Sequence, residues 1–280
     1  MEYVKGNPID KYLLNNPDKI IDIFNQTVEG FMYLEENSIL HRDIRPENIL
    51  VSDEGIVKII DFGFGKKIDF VNPNKSISLN WRYSPPKDFQ DKLYDYKTEI
   101  YFVGKMFEEI ILNIENLDFK YSEVIAKMIV ADYKKRLNSF FDVYREIIKN
   151  ESNDIEFNDS EKDTYLTFAD SLMKLYSKKN NDVEYVNQVD LIIRNLDELY
   201  RNSILEHNIQ NNDRLTRIFI QGNYKFFPKT EFKVTVLNSF IRLLKSSSEN
   251  KRKIILNNLW QRFDSIPKIT NVSYDDDLPF

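Results

Sequence analysis

Proline is absent between Lys87 and Gln221, and six of the seven glycines lie at or before Gly104. Glycine and proline are the residues that punctuate regular structure, so this distribution divides the chain into a turn-rich first third and a helical remainder. Asn16-Pro17-Asp18 marks a helix start, and Ile20, Ile23, Phe24, Thr27, Phe31 and Leu34 follow at helical spacing. Ile49-Leu50-Val51 and Val57-Lys58-Ile59-Ile60 flank the turn-forming cluster Ser52-Asp53-Glu54-Gly55, which reads as two short strands with a tight connection. Glu99 to Leu112 is apolar on much of its surface and is expected to be a central helix, with one or two more between Val124 and Ile148. Thr164 to Tyr176, Val183 to Leu205, Phe232 to Lys245 and Lys251 to Phe263 all read as helices. The expected fold is therefore mainly α (α+β), with a small β-hairpin near residues 49–60.

Composition narrows the function classes. Acidic residues outnumber basic ones 45 to 39, for a net charge of −6, which argues against non-specific affinity for nucleic acid or anionic membrane. No cysteine is present, which excludes disulfides, thiol nucleophiles and thiolate metal sites. Apolar runs such as Ile20 to Phe24 are soon interrupted, and the first ten residues lack the basic and apolar regions of a signal peptide. The expectation is a soluble, cytoplasmic protein that engages neither nucleic acid nor membrane. Asp275-Asp276-Asp277 reads as a solvated end rather than a metal site.

The chemistry is concentrated in His41-Arg42-Asp43-Ile44-Arg45-Pro46-Glu47-Asn48, followed by Asp61-Phe62-Gly63. Order, spacing and local structure match the H-R-D-x-x-x-x-N and D-F-G motifs of protein kinases. Residues 1–148 thus resemble the large, C-terminal lobe of a eukaryotic-type Ser/Thr protein kinase. By that resemblance Asp43 is the base for the attacking hydroxyl, and Asn48 and Asp61 hold Mg²⁺ through hard oxygen atoms. Arg45 stands where Ser/Thr kinases usually carry a lysine that contacts the transferring phosphate; it keeps the charge with a different geometry. The resemblance implies a structural role for His41, and for Arg42 the role of receiving a phosphate from the activation segment, in which Ser76 and Ser78 are candidate sites. ATP and Mg²⁺ are the implied cofactors, and the implied substrate is a protein Ser or Thr hydroxyl. Arg45-Pro46-Glu47-Asn48 favours Ser/Thr over Tyr specificity, and Arg42 argues against the small-molecule kinases, which usually have Gly there.

The resemblance extends in both directions from these motifs, with departures. Trp81-Arg82-Tyr83-Ser84-Pro85-Pro86-Lys87 takes the place of the segment ending in A-P-E, with Pro85 for Ala and Lys87 for Glu. Glu99 falls where the family has an Asp on its central helix, with Gly104 following as expected. Arg136 resembles the late Arg that pairs with the A-P-E Glu; here it would meet Lys87, or pair with Asp88 instead. Met1 to Gly6 resembles the interlobe hinge, which places Met1 at the gatekeeper position, Glu2 and Val4 as backbone partners of adenine, and Leu50 as the floor of its pocket. The Gly-rich loop, strand lysine and helix glutamate have no counterpart, so the expectation is a truncated or wrongly started reading frame whose N-terminal lobe an upstream segment supplies. A polar linker, 149–162, leads to a helical C-terminal extension, 163–280, without a recognisable motif. The competing expectation is a non-catalytic, kinase-derived interaction module, favoured by the missing lobe, Lys87 and Glu99, and opposed by the retained Asp43, Asn48 and Asp61.

Overall fold

The computed structural model describes residues 5–67, 82–85, 94–151, 155–180, 183–228 and 230–269. The chain divides into two compact units, Met1–Asn150 and Glu151–Phe280. The architecture is mainly α with small β elements, as the periodicity predicts. Among the described residues no helix is long and apolar enough to cross a membrane.

In the first unit, strand β1 (Asn7–Pro8) leads into α1 (Ile9–Asn15), and a 3-10 turn (Pro17–Lys19) opens α2 (Ile20–Glu36). The predicted apolar stripe of α2 is the face it buries: Ile20, Ile23, Phe24, Thr27, Phe31 and Leu34 all lie inside. Strands β2 (Ile39–Leu40), β3 (Ile49–Val51), β4 (Val57–Ile59) and β5 (Lys66–Lys67) follow, then helices α3 (Tyr96–Leu112), α4 (Ser122–Met128) and α5 (Phe140–Glu151). Helix α3 is buried along most of its length, with Ile100, Val103, Met106 and Phe107 fully inside. Phe24 of α2 meets Phe107 edge-on, with ring centroids 4.8 Å apart, the favoured geometry for two aromatic quadrupoles. Gly104 permits the close approach of α3 and α4, because a Cβ there would sit 2.7 Å from Ile129 Cγ2 and 2.9 Å from Met128 Cβ. Glu35 caps the start of α5 by accepting from the Phe140 amide at 2.7 Å. Burial pushes its carboxyl up to about 7, against the stabilising pull of that same backbone bond.

The second unit contains α6 (Asp159–Met173), β6 (Tyr176–Lys179), β7 (Glu184–Tyr185), α7 (Val189–Ser203), α8 (Asn212–Arg217), β8 (Ile220–Gln221), β9 (Tyr224–Phe226), α9 (Val234–Ser246) and α10 (Glu249–Asp264). Of the stretch read as a linker, residues 149–151 complete α5 and 159–162 open α6. A reciprocal capping box between Asn158 and Glu161 starts α6, satisfying two otherwise free amides. Phe168 of α6 stacks on Phe240 of α9 with centroids 3.7 Å apart, and Phe219 and Phe232 close around the pair.

Two antiparallel ladders, β6 with β9 and β7 with β8, were not expected in this helical extension. Residues 183–188 do not begin a helix, because Glu184 and Tyr185 pair with Gln221 and Ile220 instead. Tyr176, expected to end a helix, starts β6 opposite Phe226. Strands this short carry little local signal, and pairing partners some forty residues away decide their conformation.

Candidate active site

Strand pairing assembles the site. Antiparallel β3 and β4 place Ile49 opposite Ile59, and the Ile60 amide donates to the Asn48 carbonyl at 2.9 Å. Asn48 and the residue after Ile60, Asp61, therefore leave the hairpin at the same end. A second ladder sets Ile39 opposite Lys67 and Leu40 opposite Lys66, which returns the chain beyond Asp61 to the strand preceding His41. Two motifs separated in sequence are thus gathered at one place.

Within the loop, Asp43 and Asn48 form a clamp. The Asn48 Nδ2 donates to the Asp43 carbonyl at 2.8 Å and to the Asp43 carboxylate Oδ2 at 2.7 Å. Both residues are buried, so these bonds are stronger than surface ones and leave each side chain a single orientation. With its nitrogen so engaged, the Asn48 amide presents Oδ1 in the other direction. Arg45 Nε lies 3.4 Å from Asp43 Oδ2, an ion pair without hydrogen-bond geometry, and the Arg45 side chain remains partly exposed.

His41 is held in one tautomer. Its Nε2 lies 2.8 Å from the Ile60 carbonyl, which can only accept, so Nε2 carries the proton and Nδ1 accepts from the Asp43 amide at 3.3 Å. Burial lowers the pKa of the imidazole, which keeps it neutral at pH 7. The ring packs 5.0 Å from Phe62 and 6.2 Å from Phe31, linking the two motifs to α2.

Beneath the loop, Glu99 in the first turn of α3 accepts from the His41 amide at 2.6 Å and the Arg42 amide at 2.9 Å, both on Oε1. Burial dominates its electrostatics and pushes the carboxyl up to about 8, although the two amide bonds pull the other way. Arg42 has φ 68°, a left-handed conformation that costs a residue with a Cβ, and the Glu99 bond holds its amide there. Asp61 is also left-handed, at φ 60°, and its Oδ1 accepts from the Gly63 amide at 3.2 Å while the residue stays exposed.

Leu50 lies half-buried in β3 between Pro8 of β1 and Lys58 of β4. Arg136 is buried, donating from Nε to the Val130 carbonyl at 2.8 Å and from Nη2 to the Ala131 carbonyl at 3.1 Å. Its guanidinium also lies 4.9 Å from the centre of the Tyr101 ring. Met1, Glu2, Val4, Ser76, Ser78, Trp81, Lys87, Asp88 and the final aspartates lie outside the described residues. The structure thus brings Asp43, Arg45 and Asn48 into contact and sets Asp61 at the same hairpin end. The sequence did not disclose Glu99 as the anchor of two loop amides, nor the capping role of Glu35; only the Glu-for-Asp departure at position 99 pointed towards the former.

A family profile described as the protein kinase domain matches residues 1–190. The α subunit of the inhibitor of nuclear factor kappa-B kinase from Gallus gallus is 35% identical over 143 residues, covering 45% of this chain and 19% of that protein. The serine/threonine-protein kinase shk1/pak1 of Schizosaccharomyces pombe is 34% identical over 115 residues, 40% of this chain and 18% of that protein. PrkC, a serine/threonine-protein kinase of Bacillus subtilis, is 30% identical over 117 residues, again 40% of this chain and 18% of that protein. The chain spans about a fifth of the length of these relatives. A profile match over residues 1–190 of 280, with both motifs in their expected structural context, shows that the chain belongs to the protein kinase family.

Proposed function

We propose that this chain carries the phosphoryl-transfer centre of a Ser/Thr protein kinase, which moves the γ-phosphate of ATP to a protein hydroxyl. The observation that carries the reading is the Asp43–Asn48 clamp, which aims a buried carboxylate and an amide oxygen from one rigid loop. Asp43 orients the substrate hydroxyl and takes its proton as the new bond to the γ-phosphorus forms and the bond from that phosphorus to the bridging oxygen breaks, with ADP as the leaving group. Arg45 supplies positive charge beside that carboxylate for the transferring phosphoryl group. Leu50 forms the floor under adenine, with Glu2 and Val4 as its backbone partners.

The donor set suits Mg²⁺. Asn48 Oδ1 and the exposed Asp61 carboxylate are hard oxygen ligands at one hairpin end, and among the described residues no group of three or more His, Cys, Asp or Glu is placed to hold a metal. Magnesium is commonly held by one or two such side chains together with substrate phosphates, rather than by an all-protein cage. When bound, it neutralises charge on the phosphates. The cytoplasmic location expected from composition belongs to the same proposal.

The test is phosphate transfer from labelled ATP to a mixed Ser/Thr peptide by the full-length protein. Asp43→Ala and Asp61→Ala should each lower turnover by about 10² or more. Undiminished activity in both variants refutes the assignment. A thermal shift by ATP that requires Mg²⁺ and vanishes in Asp61→Ala supports a nucleotide site; no shift favours the non-catalytic module.

A further inference from the structure

Arg82 reaches the catalytic loop from a distant part of the chain. Its Nη1 donates to Glu47 Oε1 at 3.0 Å, and its Nη2 donates to Glu109 Oε1 at 3.2 Å. Glu47 is the middle residue of the 3-10 turn Pro46–Asn48, immediately before the asparagine that clamps Asp43. Glu109 belongs to α3, the helix whose first turn supplies Glu99. Helix α3 therefore grips the loop at two points: directly, through Glu99 at His41 and Arg42, and through the Arg82 guanidinium at Glu47. The turn itself is closed by short-range backbone bonds alone, from the Asn48 amide to the Arg45 carbonyl at 3.0 Å and from the Ile49 amide to the Pro46 carbonyl.

We propose that Arg82 is a positioning residue for the catalytic loop. It holds the Pro46–Asn48 turn, and through it Asn48 and Asp43, in fixed register with α3. The role rests on the reading of Asp43 and Asn48 as the catalytic pair. Geometry makes arginine necessary, because the two carboxylates are met by different nitrogens of one planar fork, and the single Nζ of a lysine cannot span them in the same way. Position 82 is also well suited to control: anything that draws the guanidinium away from Glu47 and Glu109 releases the turn without touching Asp43.

The test uses the full-length protein and two readouts. Hydrogen exchange at residues 43–48 reports the loop whether or not the protein turns over. Opening the turn breaks the Arg82–Glu47 pair, and one part-exposed ion pair shifts an opening equilibrium by about two-fold, so Arg82→Ala should speed exchange of the Asn48 amide by about that factor and leave the Ile129 amide, which follows α4, unchanged. Arg82→Lys should recover less than half of the effect. Arg82→Ala added to Glu47→Ala should produce little further change, because the shared link is already broken. In the second readout, Arg82→Ala should lower kcat for a mixed Ser/Thr peptide several-fold while KM for ATP holds. Unchanged exchange at Asn48, full rescue by lysine, or independent additive effects of Arg82→Ala and Glu47→Ala would overturn the proposal. A native protein that transfers no phosphate would refute the catalytic reading, and the exchange measurements would still decide whether Arg82 holds the loop.

Discussion

Glu99 offers the sharpest test of the physical account, because one oxygen of one carboxyl holds two amides of the catalytic loop. The two informative variants are Glu99→Gln, which keeps that oxygen and cannot ionise, and Glu99→Ala, which removes it. In the folded protein the carboxyl titrates at about 8, against 4.5 for a free glutamate. The folded state therefore binds the proton more tightly than the unfolded chain. Its stabilising effect is complete below pH 4.5 and is lost as the pH rises through 8. A tenfold difference in proton affinity is worth about 1.4 kcal/mol, so the loss between pH 6 and pH 9 is roughly 3 kcal/mol from this residue alone. Glu35, raised to about 7 by burial, loses stability in the same direction, by roughly 1 kcal/mol over that range. Urea unfolding followed by circular dichroism at pH 6, 7.5 and 9 should show the native protein weakening by the sum. Glu99→Gln should flatten most of that slope. Glu99→Ala should show the same shallow residual slope, from Glu35, and lie lower throughout, because two amides lose their acceptor at about 1–3 kcal/mol each where buried. A Gln variant with the native slope, or an Ala variant as stable as the Gln variant, would refute the reasoning.

Two further outcomes test the packing of each unit. Gly104→Ala forces a methyl group against Met128 and Ile129 and should destabilise the protein by about 1–3 kcal/mol in denaturant melts; a change under about 0.5 kcal/mol would show that α3 and α4 separate freely. Phe168→Ala removes the ring stacked on Phe240 and should cost about 3–5 kcal/mol, read as early urea unfolding of the second unit while phosphate transfer, assayed below that transition, persists.

Much of the first unit was legible because its signals are local. The stripe on α2 and the Ser52–Gly55 turn declare a helix and a hairpin within windows of a few residues, and the two motifs then fall at the ends of those elements. The second unit was legible as helices and illegible as ladders. Amphipathic spacing in α7 and α9 persists over several turns, whereas Glu184–Tyr185 and Ile220–Gln221 are strands only because they find each other. The same distinction runs through the site. Asp43 and Asn48 lie five residues apart and announce their relation by motif, while the bonds from Glu99 to His41 and Arg42 span more than fifty residues. Nothing in either local stretch encodes those distances.

The glutamate at position 99 had weighed towards a non-catalytic module, since the family carries aspartate there. Its geometry removes most of that weight. The longer side chain still reaches both loop amides, accepting from each on one carboxyl oxygen. The backbone supplies a weightier argument on the other side. Arg42 and Asp61 both sit in left-handed conformations that cost roughly 1–3 kcal/mol each for such residues. Each is held there by a specific acceptor, Glu99 for the Arg42 amide and the Asp61 carboxylate for the Gly63 amide. A module that served only as a binding surface would gain stability by relaxing these two residues, and nothing in surface binding would oppose the change. Strain on both sides of the Asp43–Asn48 clamp is what a site kept for positioning reacting groups would retain, and it favours the phosphoryl-transfer reading.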